Sequence, residues 1–181
     1  MTPAQGLVAV WSRPLRVLHW ALALAVVAAL ASHEAGRIHE WIGYGVLALA
    51  ALRTLLGFIG LRSMRFAAFV PAPQVAMAYA RDVLRGRERR HLNHNPLGGW
   101  MIVALLGFSV LAAASGALYV TDAFWGLAWL GELHEGSGEL FYLLLPLHVG
   151  GVLLASWRHR ENLAGAMLHG RKRAPAGDDQ A

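Results

Sequence analysis

The stretch LHEGSGELFYLLLPLH, residues 133–148, has one histidine near its start and another at its end. Burying an imidazole in hydrocarbon without a partner costs free energy, so His148, well inside an apolar run, is expected to have a specific role. Fourteen residues of α-helix rise about 21 Å and return to nearly the same face of the helix. We therefore expect His134 and His148 on one side of one helix, at two different depths.

Apolar residues are gathered into four long runs, over residues 15–31, 41–61, 97–120 and 140–157. Each run is close to the roughly 20 residues that an α-helix needs to cross a bilayer. A buried soluble core could explain one such run, but four of them in a chain of 181 residues leave too little polar surface for a soluble globule. The sequence therefore predicts an all-α integral membrane protein, a bundle of four transmembrane helices.

Basic residues are concentrated on one side of this predicted bundle. They precede the first run, fill the loop between the second and third runs, and follow the fourth, whereas the opposite loops hold Arg37 among acidic residues. By the positive-inside rule, both termini and the central loop are cytoplasmic. Because membrane topology explains the formal net charge of +5, nucleic acid is not expected as a partner.

The segments outside the four runs have predictions of their own. Residues 71–90, PAPQVAMAYARDVLRGRERR, are expected to form an amphipathic helix on the cytoplasmic membrane face or, alternatively, a solvated loop with helical character. His19, inside the first run, favours a retained span over a cleaved signal peptide. Residues 11–168 are then the membrane domain, and residues 169–181 a disordered cytoplasmic tail.

Four histidines sort by depth into two pairs. His39 and His134 each precede a run that passes from outside to inside, so both lie near the outer face. His19 lies roughly 20 Å below the outer end of the first run, which is the depth of His148. We call His39 and His134 the outer pair, and His19 and His148 the inner pair.

Two imidazoles that face each other from separate helices suit the two axial positions of a six-coordinate haem iron. Such an iron has no open position, which favours electron transfer over oxygen binding. Gly43, Gly138 and Gly151, each about one turn after one of these histidines, would let a flat porphyrin approach the helix backbone. The chain has no cysteine, so thioether-linked haem is excluded. The sequence predicts two stacked, non-covalently held b-type haems and no catalytic side chain.

Zinc sites and proton pathways also use histidines, which gives two alternatives to haem. HEWIG and HEGSG begin like the zinc-protease motif H-E-x-x-H, but both lack its second histidine. A haem-free zinc or proton transporter would also bury histidines, but it would gather its ligands at one site rather than at two depths. The depth match of the four histidines favours haem.

Arg53 is a further candidate for haem binding. It lies fourteen residues after His39, hence on the same face of the helix and about 21 Å deeper. An arginine inside a membrane span is a functional candidate, and a propionate of the inner haem would be a suitable bidentate partner. The alternative is that Arg53 snorkels to the cytoplasmic headgroups.

From residue 11 to about residue 168, the chain resembles the bacterial cytochrome b561 and nickel-hydrogenase cytochrome b family. The resemblance rests on WSRPLRVLHW at residues 11–20, HEWIGYGVLALAALRTLLG at residues 39–57, HNPLGGW at residues 94–100 and the fourteen-residue spacing from His134 to His148. It implies a multi-pass diheme protein of the bacterial inner (cytoplasmic) membrane, whose four paired histidines are the axial ligands.

The resemblance also implies electron transfer between quinone and a periplasmic redox protein, such as a c-type cytochrome or a dehydrogenase subunit. Two more specific functions stay open at this point. One is a membrane-anchor cytochrome b subunit of a hydrogenase or another dehydrogenase. The other is a stand-alone superoxide:quinone oxidoreductase. The bilayer and quinone are therefore expected partners in every case.

Overall fold

A computed structural model of the protein describes residues 6–61, 64–177 and 179–180. The described residues form helices and one small antiparallel sheet, with a short 3-10 helix, Phe66–Ala68, between α2 and α3. In chain order the elements are β1 (Leu7–Ala9), α1 (Arg13–Ala31), α2 (Arg37–Ile59), α3 (Pro73–Arg85), α4 (Pro96–Tyr119), α5 (Ala128–Glu139), α6 (Phe141–Arg158), α7 (Leu163–His169) and β2 (Arg171–Arg173).

Four spans are long and apolar enough to cross a membrane: α1, α2, α4, and α5 continued by α6. Much of their apolar surface points outward, since Val17, Leu24 and Phe58 are 69%, 68% and 69% exposed. So many large exposed apolar side chains are stable in hydrocarbon and would be a liability in water. The predicted all-α bundle of four long apolar helices is confirmed.

The fourth span begins earlier than its hydropathy predicts. The apolar run starts at Leu140, whereas α5 already starts at Ala128. Leu140, the single residue between α5 and α6, keeps a right-handed helical backbone with φ −58° and ψ −23°. The glycines of HEGSG, residues 134–138, interrupt the apolar run, but α5 packs closely against α4, and this packing overrides their low helix propensity. His134 therefore lies inside a helix rather than at its start.

The helix predicted in the central loop is present as α3. Pro73 lies in its first turn, where a missing N–H costs nothing, and Gly86 ends it in the left-handed conformation at φ +66°. Ala76 and Tyr79 are buried on one face, whereas Leu84 is 86% exposed. The buried face of α3 packs on α4, so this segment is a docked amphipathic helix rather than a solvated loop.

Helix α4 is the centre of the bundle. It packs against α2, α3 and α5, while α1 packs against α2. Asn95 caps its N-terminus, since the side-chain oxygen accepts a 2.7 Å hydrogen bond from the amide of Gly98. One residue from each span contributes to the buried core: Val26, Val46, Ala113 and Phe141.

The C-terminal segment differs from the disordered tail predicted over residues 169–181. Strand β2 pairs antiparallel with β1, with Lys172 opposite Val8, and Lys172 is only 5% exposed. The ladder satisfies backbone groups that a free tail would leave to water, and its partner strand lies more than 150 residues earlier in the chain. Local composition could not predict such a pairing. Residues 178 and 181 of the predicted tail lie outside the described residues.

Arg90 connects this segment to the bundle. Its buried guanidinium donates to both carboxylate oxygens of Glu161, at 2.7 and 3.1 Å, to the carboxylate of Asp179, and to the carbonyl of Arg173 at 2.7 Å. Burial by itself raises the pKa of Glu161, but hydrogen bonds from Arg90 and the Arg173 amide outweigh it, so the pKa lies below its ordinary value. The ion pairs are therefore complete above the ordinary carboxyl pKa and are lost as pH falls through the lowered one.

We expect Arg90→Gln to release the C-terminal segment. Removing the cation leaves Glu161 and Asp179 as uncompensated, largely buried carboxylates, a change that typically costs about 3–5 kcal/mol. Limited proteolysis of the protein in detergent should cleave the segment after Gly170 markedly faster than in the wild type. Arg89→Gln is the matched control, because Arg89 is the exposed neighbour in the chain. Equal cleavage of the two variants would contradict the anchoring role.

Candidate functional site

The two histidines of the inner pair face each other from different spans. The ring centroids of His19 on α1 and His148 on α6 are 6.4 Å apart, and the ring planes are inclined by 51°. Both side chains are partly buried. The structure thus brings together the two histidines that the sequence predicts at the same inner depth.

The outer pair is arranged in the same way. The ring centroids of His39 on α2 and His134 on α5 are 5.8 Å apart. Nδ1 of His39 lies 3.0 Å from the carbonyl oxygen of Ala29, and Nδ1 of His134 lies 2.8 Å from that of Ala112. Because a carbonyl oxygen only accepts, each Nδ1 carries the proton and each Nε2 keeps its lone pair. This is the arrangement in which outer hydrogen bonds orient metal-binding imidazoles.

The spacing of both pairs fits one iron between two imidazoles. Two Fe–N bonds of about 2 Å and the two ring radii place the ring centroids about 6 Å apart. The centroid distances of 6.4 and 5.8 Å lie on either side of that value. A structural zinc site takes four ligands, and the described residues contain no group of three or more histidine, cysteine or acidic side chains placed to hold a metal. The paired arrangement suits haem rather than zinc.

The space beside the histidines also suits a porphyrin. A Cβ atom added at Gly43, Gly138 or Gly151 would meet no heavy atom within 4 Å. These glycines leave the helix backbone open within about one turn of a paired histidine, as the sequence predicts for the approach of a flat ring. The residues present therefore fit haem in both their donor chemistry and the space around them.

Gly116 on α4 is a positioning residue that the sequence analysis missed. A Cβ at this position would lie 2.7 Å from Cε1 and Nδ1 of His134, which is closer than Cβ atoms approach other atoms in proteins. The absent side chain lets the imidazole lie on the α4 backbone and reach the carbonyl of Ala112. No local signal marks Gly116, because its role depends on how α4 and α5 pack.

Arg53 is covered by the central loop. It is 6% exposed, and its Nη1 donates a 3.2 Å hydrogen bond to the carbonyl of Met64. The guanidinium carbon lies 5.5 and 5.9 Å from the ring centroids of Phe66 and Phe69. Among the described residues, Arg53 forms no ion pair with a carboxylate. The side chain is therefore a buried cation rather than an exposed one reaching for headgroups.

His94, the first residue of the motif HNPLGGW, is buried rather than solvated. Its ring lies between those of Trp11 and Phe69, with both centroids 4.6 Å away. Burial, followed by the charges of Lys172, Arg53 and His19, lowers the pKa of His94 to about 3. His94 is therefore neutral at physiological pH. The motif HNPLGGW pointed to this segment, but only the packing of the N-terminal segment and the central loop on it reveals the burial.

Comparison with known proteins shows the family to which the chain belongs. The family model for prokaryotic cytochrome b561 matches residues 10–170, which is most of the chain and includes all four paired histidines. No curated protein matches the chain. The chain belongs to the prokaryotic cytochrome b561 family, and it is a membrane-spanning, electron-transferring cytochrome of the b type, which binds haem b.

Proposed function

We propose that this cytochrome binds two haems and carries electrons across the inner membrane, between a periplasmic redox protein and quinone. The observation that carries the proposal is the presence of two facing histidine pairs, with centroid distances of 6.4 and 5.8 Å, on different spans. The two imidazoles of each pair would bind the same iron, one from each side. The helix α5–α6 would supply one ligand to each haem, through His134 and His148.

The protein's own contribution would be to hold the haems, orient the imidazoles that bind them and shield both sites from water. When bound, haem b supplies one-electron chemistry through its ferric and ferrous states. The carbonyls of Ala29 and Ala112 would hold His39 and His134 with Nε2 directed inward. Both imidazoles of a pair would bind the iron and leave no ligand position for oxygen, so the site would favour electron transfer over binding of oxygen. The apolar spans would keep both sites in a low-dielectric environment.

The proposed orientation places the inner pair on the cytoplasmic side. Its support is the distribution of charge, since the arginines of the central loop and of the segment after α6 lie at one end of the bundle. Quinone would exchange electrons at this inner end, and a periplasmic partner would meet the outer pair. Arg53 would bind a propionate of the inner haem, since it is a buried cation without a carboxylate partner among the described residues.

Haem content tests this proposal directly. A pyridine-haem assay of the purified protein should give about two haems per chain, and the reduced spectrum should be of the b type. Electron paramagnetic resonance of the oxidised protein should show two low-spin species, as two bis-histidine irons require. A haem ratio near one, or a high-spin iron in the wild-type protein, would contradict the diheme assignment.

A further inference from the structure

Five side chains form a row at the inner end of the bundle, which we call the cationic row. It begins with Arg53, whose guanidinium lies 5.9 Å from the ring of Phe69. His94 follows between Phe69 and Trp11, at 4.6 Å from each. Lys172 ends it, with Nζ 5.3 Å from the ring of Trp11. The row thus has a cation at each end and a neutral imidazole between two aromatic rings.

Lys172 reaches this position only through the C-terminal strand. Nζ lies 3.3 and 3.5 Å from the carbonyl oxygens of Asn93 and His91, and the residue is 5% exposed. Two carbonyls and an aromatic face stabilise an ammonium group, but they do not neutralise its charge. Among the described residues, neither Lys172 nor Arg53 forms an ion pair. Two buried cations without an ion-paired carboxylate are costly, so an anionic partner is expected.

The nearby acidic groups are already engaged elsewhere. Glu161 accepts two hydrogen bonds from Arg90 and one from the Arg173 amide. Asp179 also pairs with Arg90, and the charges of Arg90 and Arg173 both contribute to its lowered pKa. Counting Arg90, Arg173 and Lys172 against these two carboxylates leaves one positive charge in excess. Arg90 forms ion pairs with both of these carboxylates, whereas Lys172, which is only 5% exposed, forms one with neither.

The cationic row lies next to the inner histidine pair. His94 contacts Trp11, which comes just before the first residue of α1, and His19 lies about two turns further along from Trp11. An imidazole is either neutral or cationic, so His94 cannot supply the missing negative charge. If the proposed function holds, a haem would lie beside His19, and its carboxylates would supply the negative charge.

We propose that Lys172 and Arg53 together form a binding site for the carboxylates of the inner haem, with the C-terminal strand as a functional part of that site. This inference rests on the proposed function. A fixed positive charge stabilises the reduced form of a nearby iron, which carries one positive charge fewer than the oxidised form. Lys172 therefore raises the reduction potential of the inner haem, and docking of the strand sets that potential.

Redox titration of Lys172→Met tests this proposal. Methionine keeps the length and apolar stem of lysine and removes the charge, so the strand should stay docked. At a fixed potential near the inner haem's midpoint, its ratio of reduced to oxidised form should fall about tenfold, which is 59 mV for one electron. The outer haem should titrate as in the wild type, and both should stay low-spin. Lys172→Arg should resemble the wild type.

Arg171→Met is the matched control, because it removes the same charge from the adjacent, exposed position of the same strand. It should leave both midpoints unchanged, since water screens that charge. Val8→Pro gives an independent perturbation without any change in charge. Val8 pairs with Lys172, and proline cannot donate to the ladder, so the strand should detach and the inner midpoint should fall as in Lys172→Met.

Two results would overturn this proposal while leaving the proposed function intact. The first result is that the wild-type protein has two low-spin haems and that neither midpoint changes in Lys172→Met or in Val8→Pro. The other is loss of a co-purifying anionic lipid from Lys172→Met, detected by native mass spectrometry, with unchanged midpoints, which would assign the site to a lipid phosphate. A wild-type protein without two haems would instead contradict the proposed function itself.

Discussion

Replacing His39 or His134 by alanine is expected to affect the same haem and leave the other intact. Each substitution removes one of two facing imidazoles whose centroids are 5.8 Å apart, so the remaining ligand would hold the iron as a five-coordinate, high-spin site or lose it. The haem ratio should fall from about two towards one, or one low-spin signal should become high-spin. The equivalent substitutions at His19 and His148 should affect the other haem, because their rings form the second pair.

Electron paramagnetic resonance combined with redox titration of the four variants distinguishes the pairings. His33→Ala is a suitable control, since His33 is an exposed histidine in the same outer connection and its Nδ1 contacts only the carbonyl of Leu30. It should keep both low-spin signals. If His39→Ala and His134→Ala lose different haems, the pairing read from the ring distances is wrong.

Gly116→Ala is expected to weaken haem binding at the outer pair alone. The added methyl group would lie 2.7 Å from the His134 ring, so the imidazole must move and lose its 2.8 Å hydrogen bond to Ala112. Loss of such an orienting hydrogen bond commonly costs about 10–100-fold in affinity for the metal. Haem titration into the apoprotein should show this loss for one haem and wild-type affinity for the other.

Gly107→Ala is the matched control for this effect. Gly107 is on the same helix, and a Cβ there would meet no heavy atom within 4 Å. Both substitutions raise helix propensity by roughly 1 kcal/mol, so a general change in the stability of α4 would appear in both variants. Equal haem affinities in Gly116→Ala and Gly107→Ala would show that His134 does not depend on the open backbone at Gly116.

Hydropathy predicted the four spans because the bilayer imposes a length on each apolar helix. It failed at the start of the fourth span, where Gly136 and Gly138 dilute the apolar run while contact with α4 maintains the helix. Composition also failed as a guide after residue 169, where a short basic segment has the composition of a disordered tail but pairs with Leu7–Ala9. In both places a distant part of the chain determines the local structure, and a window of neighbouring residues does not contain that information.

The pairing of the histidines could be predicted because it depends on one-dimensional geometry. Helix rise and topology assign a depth to His19, His39, His134 and His148, and the structure places the rings together in those pairs. Arg53 was found in the same way, from its spacing after His39. The role proposed for these residues as haem ligands follows from the chemistry of imidazole and from the family, and it is what the histidine substitutions test.

The sequence by itself determined the membrane bundle, the two depths of histidine and the absence of thioether-linked haem, because each follows from periodicity, length or composition along one segment. Only the tertiary structure decided that Gly116 supports His134, that His94 lies between Trp11 and Phe69, and that Lys172 is buried at the inner end. These are contacts between segments far apart in the chain. The free energy of these contacts depends on packing and on the local balance of charge, and neither can be predicted from a single stretch of residues.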